Sequence, residues 1–459
     1  MKRMIRNTRD LFPGAYLYAG YRIMALNAYA SPDQWLNFGH ADHVQLLHGS
    51  HDQQVTVAYR DPTGWHEHST ADRWATNTTL ELLIARGNEA YLSQSGFNRS
   101  RRSLESLSTI PALFTDLDYG DVPTMRRLTT PQLFERIRRD LPDLPPPTLT
   151  AASSLRGAYG VWVLNEPLPA DQLPVWQPVQ NTLCSVLKPY GADFRARDAT
   201  RVLRVPGSRH SSGAVVRYEQ TGPCYEFATL QRAIAALAPS PQIPTPTAQR
   251  TTQAGKRPAR LFNRYSLAYG RMDDLRLIAR NRGPLTDCSK RFLFTFSVCA
   301  AWFKHSAEEL ARECEYFAAD HFKDGHRYNR RMISTTLRRF DQAQTGVRVP
   351  WGSPHGIVEV DPRYRLRNET IREWLELDNA ELQNCKVIIP AELKRERHAA
   401  HEAERRRRRG AKERAEYLAA PQARRQQALV LIEQGLPVPQ IAEQLGCSRR
   451  RIEQIRNGG

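Results

Sequence analysis

The stretch Ala112-Leu113-Phe114-Thr115-Asp116-Leu117-Asp118 sets two carboxylates two residues apart inside an apolar run. In a β-strand, side chains two apart share a face and lie roughly 6.5–7 Å apart along the chain. From there Asp116 and Asp118 can converge on a metal ion. A third acid, Asp193, comes later and is followed by a cluster of arginines. Three acids able to hold divalent metals, beside cations able to hold a triphosphate, suit nucleotidyl transfer. Taken alone, the pair reads equally as acids solvated at a strand end, or as a cap for the turn at Tyr119-Gly120-Asp121.

Two more segments extend the pattern. Thr148 to Pro167 reads strand, Ser/Arg/Gly turn, strand. A turn at Gly157 lets backbone amides and Arg156 approach an anion, although an ordinary hairpin reads the same way. The third segment runs from Gly191 to His210. Arg201 and Arg204 flank a strand there, and Pro206-Gly207-Ser208 makes a turn. Arginines in such a strand need an anion. A triphosphate or a template phosphate would serve, and so would salt bridges to Asp193 and Asp198.

The order of the three segments resembles the archaeo-eukaryotic primase superfamily, the primase-polymerase proteins. The first motif of that family, DxD or DxE, matches Asp116 and Asp118. The second, Ser-x-His running into an apolar strand, matches Gly157-Ala158-Tyr159-Gly160-Val161-Trp162, with Ser153 and Ser154 just upstream. The third, an apolar residue plus Asp, matches Ala192-Asp193, and the family's following Arg strand matches Arg204. One position departs: the family histidine falls at Tyr159, which donates a hydrogen bond but carries no positive charge, leaving Arg156 to supply a cation. Ala90-Tyr91-Leu92, Phe97 to Arg102, the block from Leu285 to Phe317 and Asp361 to Arg365 are similar to primase-type replication proteins of bacterial plasmids and integrative elements.

The resemblance implies an α+β fold: a two-lobed catalytic domain whose RNA-recognition-like sheet bears the acids. It implies that Asp116, Asp118 and Asp193 are catalytic and hold Mg²⁺ or Mn²⁺. It also implies that Ser154, Arg156, Tyr159, Arg201, Arg204, Ser208 and His210 line the nucleotide and template side.

Bulk properties agree with a nucleic-acid partner. A chain of 459 residues has a length prior of about three domains, and its hydrophobic content of 41% is enough for packed cores. A net charge of +18 favours a polyanion. No long apolar stretch marks a membrane span, so nucleic acid is the expected partner and a membrane is not. The seven cysteines are scattered without a CxxC pair, which reads as reduced thiols in a cytoplasmic protein without a zinc framework. The N-terminal stretch, with Arg9, Asp10 and Arg22, is too polar for a signal-peptide core.

Composition divides the chain further. Residues 1–237 are mixed α/β and read as the catalytic domain, and the Pro/Thr-rich residues 238–259 read as a linker. Residues 260–345 read as a helical accessory domain in which Ser306 and Glu309 make a capping box, and 346–393 as a small helical region. Residues 394–420, with five arginines at 405–409, read as a basic tether. Residues 421–459 carry helix-turn-helix spacing, with Gly446-Cys447-Ser448 at the turn and Ser448 capping the recognition helix. Gln440, Arg449, Arg450, Arg451 and Gln454 would then face DNA. A small helical bundle that docks on protein has the same apolar spacing.

Six histidines between His40 and His68 lack the paired spacing of a metal site and read as a surface cluster. His66-Glu67-His68 invites comparison with rolling-circle initiators, but Glu67 and the polar Ser69-Thr70 argue against it. No GxxxxGK[ST] occurs, so the helicase is expected to be a separate protein. The expected function is DNA-dependent primer synthesis from nucleoside triphosphates on template DNA. The alternatives are a catalytically inactive DNA-binding initiator or regulator, and a rolling-circle nicking initiator.

Overall fold

The computed structural model describes residues 38–49, 53–238, 263–286, 288–323, 328–353, 356–408 and 414–457. Most of the expected linker, and Arg409 of the arginine run, lie outside the described residues. The chain divides into two compact units. The first comprises residues 1–266, 300–316 and 340–347; the second comprises 267–299, 317–339 and 348–459. The fold is α+β, with a helix-turn-helix at the C-terminal end.

In the first unit, α1 (His40–His48) precedes the hairpin β1 (Val55–Asp61) and β2 (Gly64–Thr70). Then come α2 (Arg73–Ala85), β3 (Glu89–Ser93), β4 (Gly96–Phe97), β5 (Leu107–Leu117), α3 (Thr130–Asp140), β6 (Leu149–Ala152) and β7 (Ala158–Pro169). Helix α4 (Leu173–Val186), β8 (Val202–Arg204), β9 (Arg217–Gln220) and α5 (Phe227–Ala236) complete it. The strands form two antiparallel sheets, β2-β1-β3-β8 and β4-β5-β7-β6-β9. The apolar runs at Val55–Tyr59, Ala90–Leu92, Ala112–Leu117 and Gly160–Leu164 fall on strands, as their composition predicts, and Val202–Val205 runs one residue past β8.

β5 is buried almost throughout because a sheet neighbour and α4 both cover it. Its Ile110, Ala112, Leu113 and Phe114 are inaccessible to solvent, as are Val161 of β7 and Trp176 of α4. Between Ile110 and Thr115 one edge of β5 has no strand partner, and its peptide groups would be stranded in the core. Gln180 of α4 satisfies them. Its Nε2 donates to the Phe114 carbonyl (2.6 Å) and its Oε1 accepts from the Phe114 amide (3.2 Å). Trp176 Nε1 donates to the Ala112 carbonyl at 3.0 Å.

Residues 300–316 bring charge into the same core. Lys304 and Glu313 pair at 3.2 Å, with side chains only 3% and 2% exposed. Burying an ion pair is tolerable only when its remaining hydrogen-bonding capacity is used. Here Lys304 Nζ also donates to Thr200 Oγ1 (2.8 Å), and both Glu313 oxygens accept from the Leu104 amide (3.1 Å each).

The second unit holds most of α6 (Arg264–Arg282) and α7 (Ser289–Ala300), the end of α8 (Ala307–His321) and the start of α9 (Ser334–Gln344). Phe296 stacks on Phe317 at 4.2 Å. Asp274 of α6 accepts from the amides of Lys386, Val387 and Ile388, each at 2.7 Å. The segment read as a small helical region opens instead with a hairpin, β10 (Val349–Ser353) and β11 (Gly356–Val360). Helices α10 (Asn368–Leu375) and α11 (Asn379–Asn384) follow. Helix α12 (Ala391–Arg408) carries the basic tether.

The last three helices are α13 (Arg414–Glu433), α14 (Val438–Gln444) and α15 (Arg449–Arg456). They close on Ala428, Ile441, Ala442, Ile452 and Ile455. Gly446 takes a left-handed φ of +59° at the turn, a conformation that favours glycine. Ser448 occupies the N-cap position of α15, but its hydroxyl makes no capping hydrogen bond. Among the described residues no helix is long and apolar enough to cross a membrane.

Candidate active site

The acids meet at the free edge of β5. After α4 and a short 3-10 turn at Lys188–Tyr190, residues 191–193 lie against that edge as a fragment of antiparallel strand. Leu117 is bridged to Ala192; the Asp118 amide donates to the Gly191 carbonyl, and the Asp193 amide donates to the Asp116 carbonyl, both at 2.8 Å. Asp193 is therefore directly opposite Asp116. Alternation puts Asp116, Asp118 and Asp193 on one face, with Leu117 and Ala192 on the other. Gly191 makes the approach possible. Its φ is +91°, and a Cβ there would sit 2.8 Å from the Asp118 carbonyl carbon.

Crowding shifts the titration of Asp116 and Asp118. Burial, then Asp118, then Asp193 push the Asp116 carboxyl up to about 7, against the opposing pull of Arg204 and Arg201. Burial and Asp193 also raise Asp118. The carboxylates share a face without being gathered. Among the described residues no three His, Cys, Asp or Glu side chains converge closely enough to hold a metal ion as they stand. Asp193 turns Oδ1 to the Arg195 amide (2.8 Å) and to Arg195 Nε (3.4 Å). The donor set fits a hard divalent cation: it is all-oxygen and acidic, and Arg204 and Arg201 do not offset the crowding that keeps Asp116 from ionising freely.

Tyr159 faces Asp116 across the β5–β7 ladder. It is buried, and its hydroxyl accepts from Arg204 Nη1 at 3.1 Å. The Arg204 guanidinium also lies 5.2 Å over the Tyr91 ring and 3.6 Å from Glu89. Glu89 in turn accepts from the Tyr91 hydroxyl (2.9 Å) and the Ser211 amide (2.7 Å). Glu89 and Tyr91 were not anticipated as site residues. The signal for them is the strand period: two polar residues two apart on β3, paired with the strand that carries Arg204.

The remaining expected residues divide. Arg156 is exposed on the β6–β7 turn, and the Ser154 hydroxyl accepts from its amide at 3.3 Å. The turn docks next to Asp118, where the Gly120 amide donates to the Arg156 carbonyl at 3.0 Å. His210, half-buried, shares a hydrogen bond with Ser212 Oγ (2.8 Å), and burial and Arg204 lower its pKa. Ser208 is buried with its hydroxyl donating to the Val205 carbonyl (2.9 Å), a turn-shaping bond. The Arg201 guanidinium lies 2.9 Å from the buried Asp198 and 3.4 Å from the half-buried Glu309, so two acids already hold it.

The histidines are not a surface cluster. His43 and His48 are buried, and burial depresses them to about 3 and about 4. His48 Nε2 lies 2.9 Å from the Ser93 carbonyl. His66 and His68 stack on Tyr59 at 4.8 and 5.5 Å, and Glu67 between them pairs with Arg102 at 2.7 Å. His51 lies outside the described residues. In the C-terminal helices, Gln440, Arg449, Arg450, Arg451 and Gln454 are all exposed.

Residues 419–458 match the model of a homeodomain-like domain. A replication protein of Clostridium perfringens is 24% identical over 366 residues, covering 77% of this chain and 80% of the relative. Among solved structures, the AEP domain of a cyanophage S-2L primase-polymerase aligns over 44% of this chain and 98% of its own, at 20% identity and a TM-score of 0.33. The catalytic domain of primase RepB′, solved with initiator DNA, aligns over 42% of this chain and 91% of its own, at 14% identity and a TM-score of 0.29. The chain resembles the archaeo-eukaryotic primase superfamily in the order of its three motifs, and it is similar to a bacterial replication protein along most of its length.

Proposed function

We propose that the chain is a DNA-dependent primase/polymerase of a mobile-element replication system. The observation that carries this reading is the pairing of Gly191–Asp193 on the edge of β5, which sets a third acid across from an Asp-x-Asp pair. Asp116, Asp118 and Asp193 would hold two Mg²⁺ or Mn²⁺ ions, which would supply activation of a 3′-hydroxyl and neutralisation of the triphosphate. Asp193 would exchange its Arg195 contacts for this role. Arg204, fixed by Tyr159, Tyr91 and Glu89, would face the nucleotide's phosphates. Arg156 and Ser154 on the neighbouring turn, with His210, would line the nucleotide and template side. Arg201 and Ser208, tied to their own partners, would shape the strand and turn that present Arg204.

Gln440, Arg449, Arg450, Arg451 and Gln454 would bring the enzyme to duplex DNA, and a separate helicase would open it. One observation favours a second reading, an inactive DNA-binding initiator: Asp193 is bonded to Arg195 rather than turned to its fellow acids. Primer synthesis on single-stranded template, with Mg²⁺ or Mn²⁺ and labelled nucleotides, separates the two. Wild type should make product and Asp116→Asn/Asp118→Asn should not; equal product from both refutes the assignment.

A further inference from the structure

We infer that the hairpin β10–β11 is a stacking platform for single-stranded nucleic acid. Trp351 on β10 is 51% exposed and Ile357 on β11 is 79% exposed. The register pairs Trp351 with Val358 and Gly352 with Ile357, so the two side chains stand on opposite faces of the ribbon. Both faces therefore present apolar surface to water. A two-stranded ribbon on its own is at best marginally stable, and large bare side chains on it mark a surface that is covered in use.

The setting identifies what covers it. Residues 328–339 and 348–367 of the second unit contain eight arginines and only two acids, Glu359 and Asp361. Asp361 is already paired with Arg363 at 2.5 Å. The two stretches are neighbours: Arg339 Nη1 donates to the Pro362 carbonyl (3.0 Å) and stacks on Tyr364 at 4.2 Å. Arg331, Arg338, Arg348, Arg365 and Arg367 are exposed. A docked protein would have to bury or neutralise this charge, because interface cores are depleted of it. A polyanion with flat apolar faces needs no such compensation. Single-stranded DNA or RNA has that chemistry, with phosphates for the arginines and an unstacked base for the indole. A duplex offers the phosphates but keeps its base faces stacked. The surface is independent of the acids on β5, so it goes beyond primer synthesis and does not rest on it.

The test uses the full-length chain and a labelled oligothymidylate, followed by fluorescence anisotropy in the presence of a chelator. Trp351→Ala should weaken single-strand binding by about five- to a hundred-fold, the range expected from losing one base–aromatic stack. It should leave duplex binding within about two-fold, since the C-terminal helices are untouched. Trp351→Phe should restore most of the loss, and Ile357→Ser should weaken binding from the opposite face. The measurement uses neither metal nor nucleotide, so failure of the catalytic reading leaves this result unaffected. Wild-type affinity in both Trp351→Ala and Ile357→Ser overturns the inference. Conversion of a dimer to a monomer by either change, with oligonucleotide affinity unaltered, also overturns it and assigns the ribbon to a second copy of the chain.

Discussion

Replacing Asp116 by Asn should make the protein more stable at alkaline pH while abolishing primer synthesis. The carboxyl is held at about 7 in the fold against an ordinary value of 3.8, because burial, Asp118 and Asp193 all oppose its ionisation. An acid whose folded pKa is raised binds its proton more tightly in the folded state. Stability from this group is therefore present at low pH and is lost as pH rises from about 4 through about 7. The rise from 3.8 to about 7 corresponds to roughly 4 kcal/mol as an upper limit. Asn removes the charge at every pH, so the variant should gain up to that amount over wild type near pH 8 and nothing near pH 4. In a unit of this size that is a rise of several degrees in melting temperature. Thermal melts at the two pH values, with chelator present, measure the gap. Adding Mn²⁺ at pH 8 should raise the wild-type transition and leave Asp116→Asn where it was. A variant less stable than wild type near pH 8, or a gap of the same size at both pH values, refutes the account of crowded acids.

Two other outcomes test the architecture. Gly191→Ala puts a Cβ into the Asp118 carbonyl at a left-handed φ, so it should cost about 1–3 kcal/mol in a melt and lower primer synthesis by displacing Asp193; unchanged activity would separate the edge pairing from catalysis. The triple change Arg449→Ala, Arg450→Ala, Arg451→Ala should weaken duplex binding and lower the log–log salt slope by about three, with primer synthesis on single strands largely retained; an unaltered slope would assign α15 to a protein partner.

The sequence made the strands and the C-terminal helices legible because their signals are local. Short apolar runs give β3, β5, β7 and β8, and apolar residues at helical spacing around Gly435 and Gly446 give the last three helices. The pairing of Gly191–Asp193 with β5 has no such signal, since a three-residue edge fragment carries no period. Only the motif order pointed to Asp193. The burial of His43 and His48 runs against the surface reading of the histidines, although its signal is local. With Val44 and Leu47 they form one helical stripe, and that spacing outweighs the polarity of the imidazoles. Arg201 shows the opposite limit. One of its partners, Glu309, lies over a hundred positions on, and nothing local announces the contact.

The substitution of Tyr159 for the family's histidine can be weighed from the same geometry. A histidine at this position would offer its own charge to a phosphate. Tyrosine offers none, and burial beside Asp116 raises its pKa further, so it stays a neutral phenol at any ordinary pH. Its hydroxyl instead accepts a hydrogen bond from Arg204, which directs a permanent cation to the spot facing Asp116. The charge is displaced by one side chain rather than lost, and it no longer depends on pH. Tyr159→Phe should then act through Arg204: the nucleotide KM rises several-fold with kcat less affected, as expected when about 1 kcal/mol of positioning is removed from a charged donor. Tyr159→His should restore binding mainly below about pH 6.5, where imidazole is protonated. Identical nucleotide KM values in Tyr159→Phe and wild type would show that the phenol does not hold the cation in place.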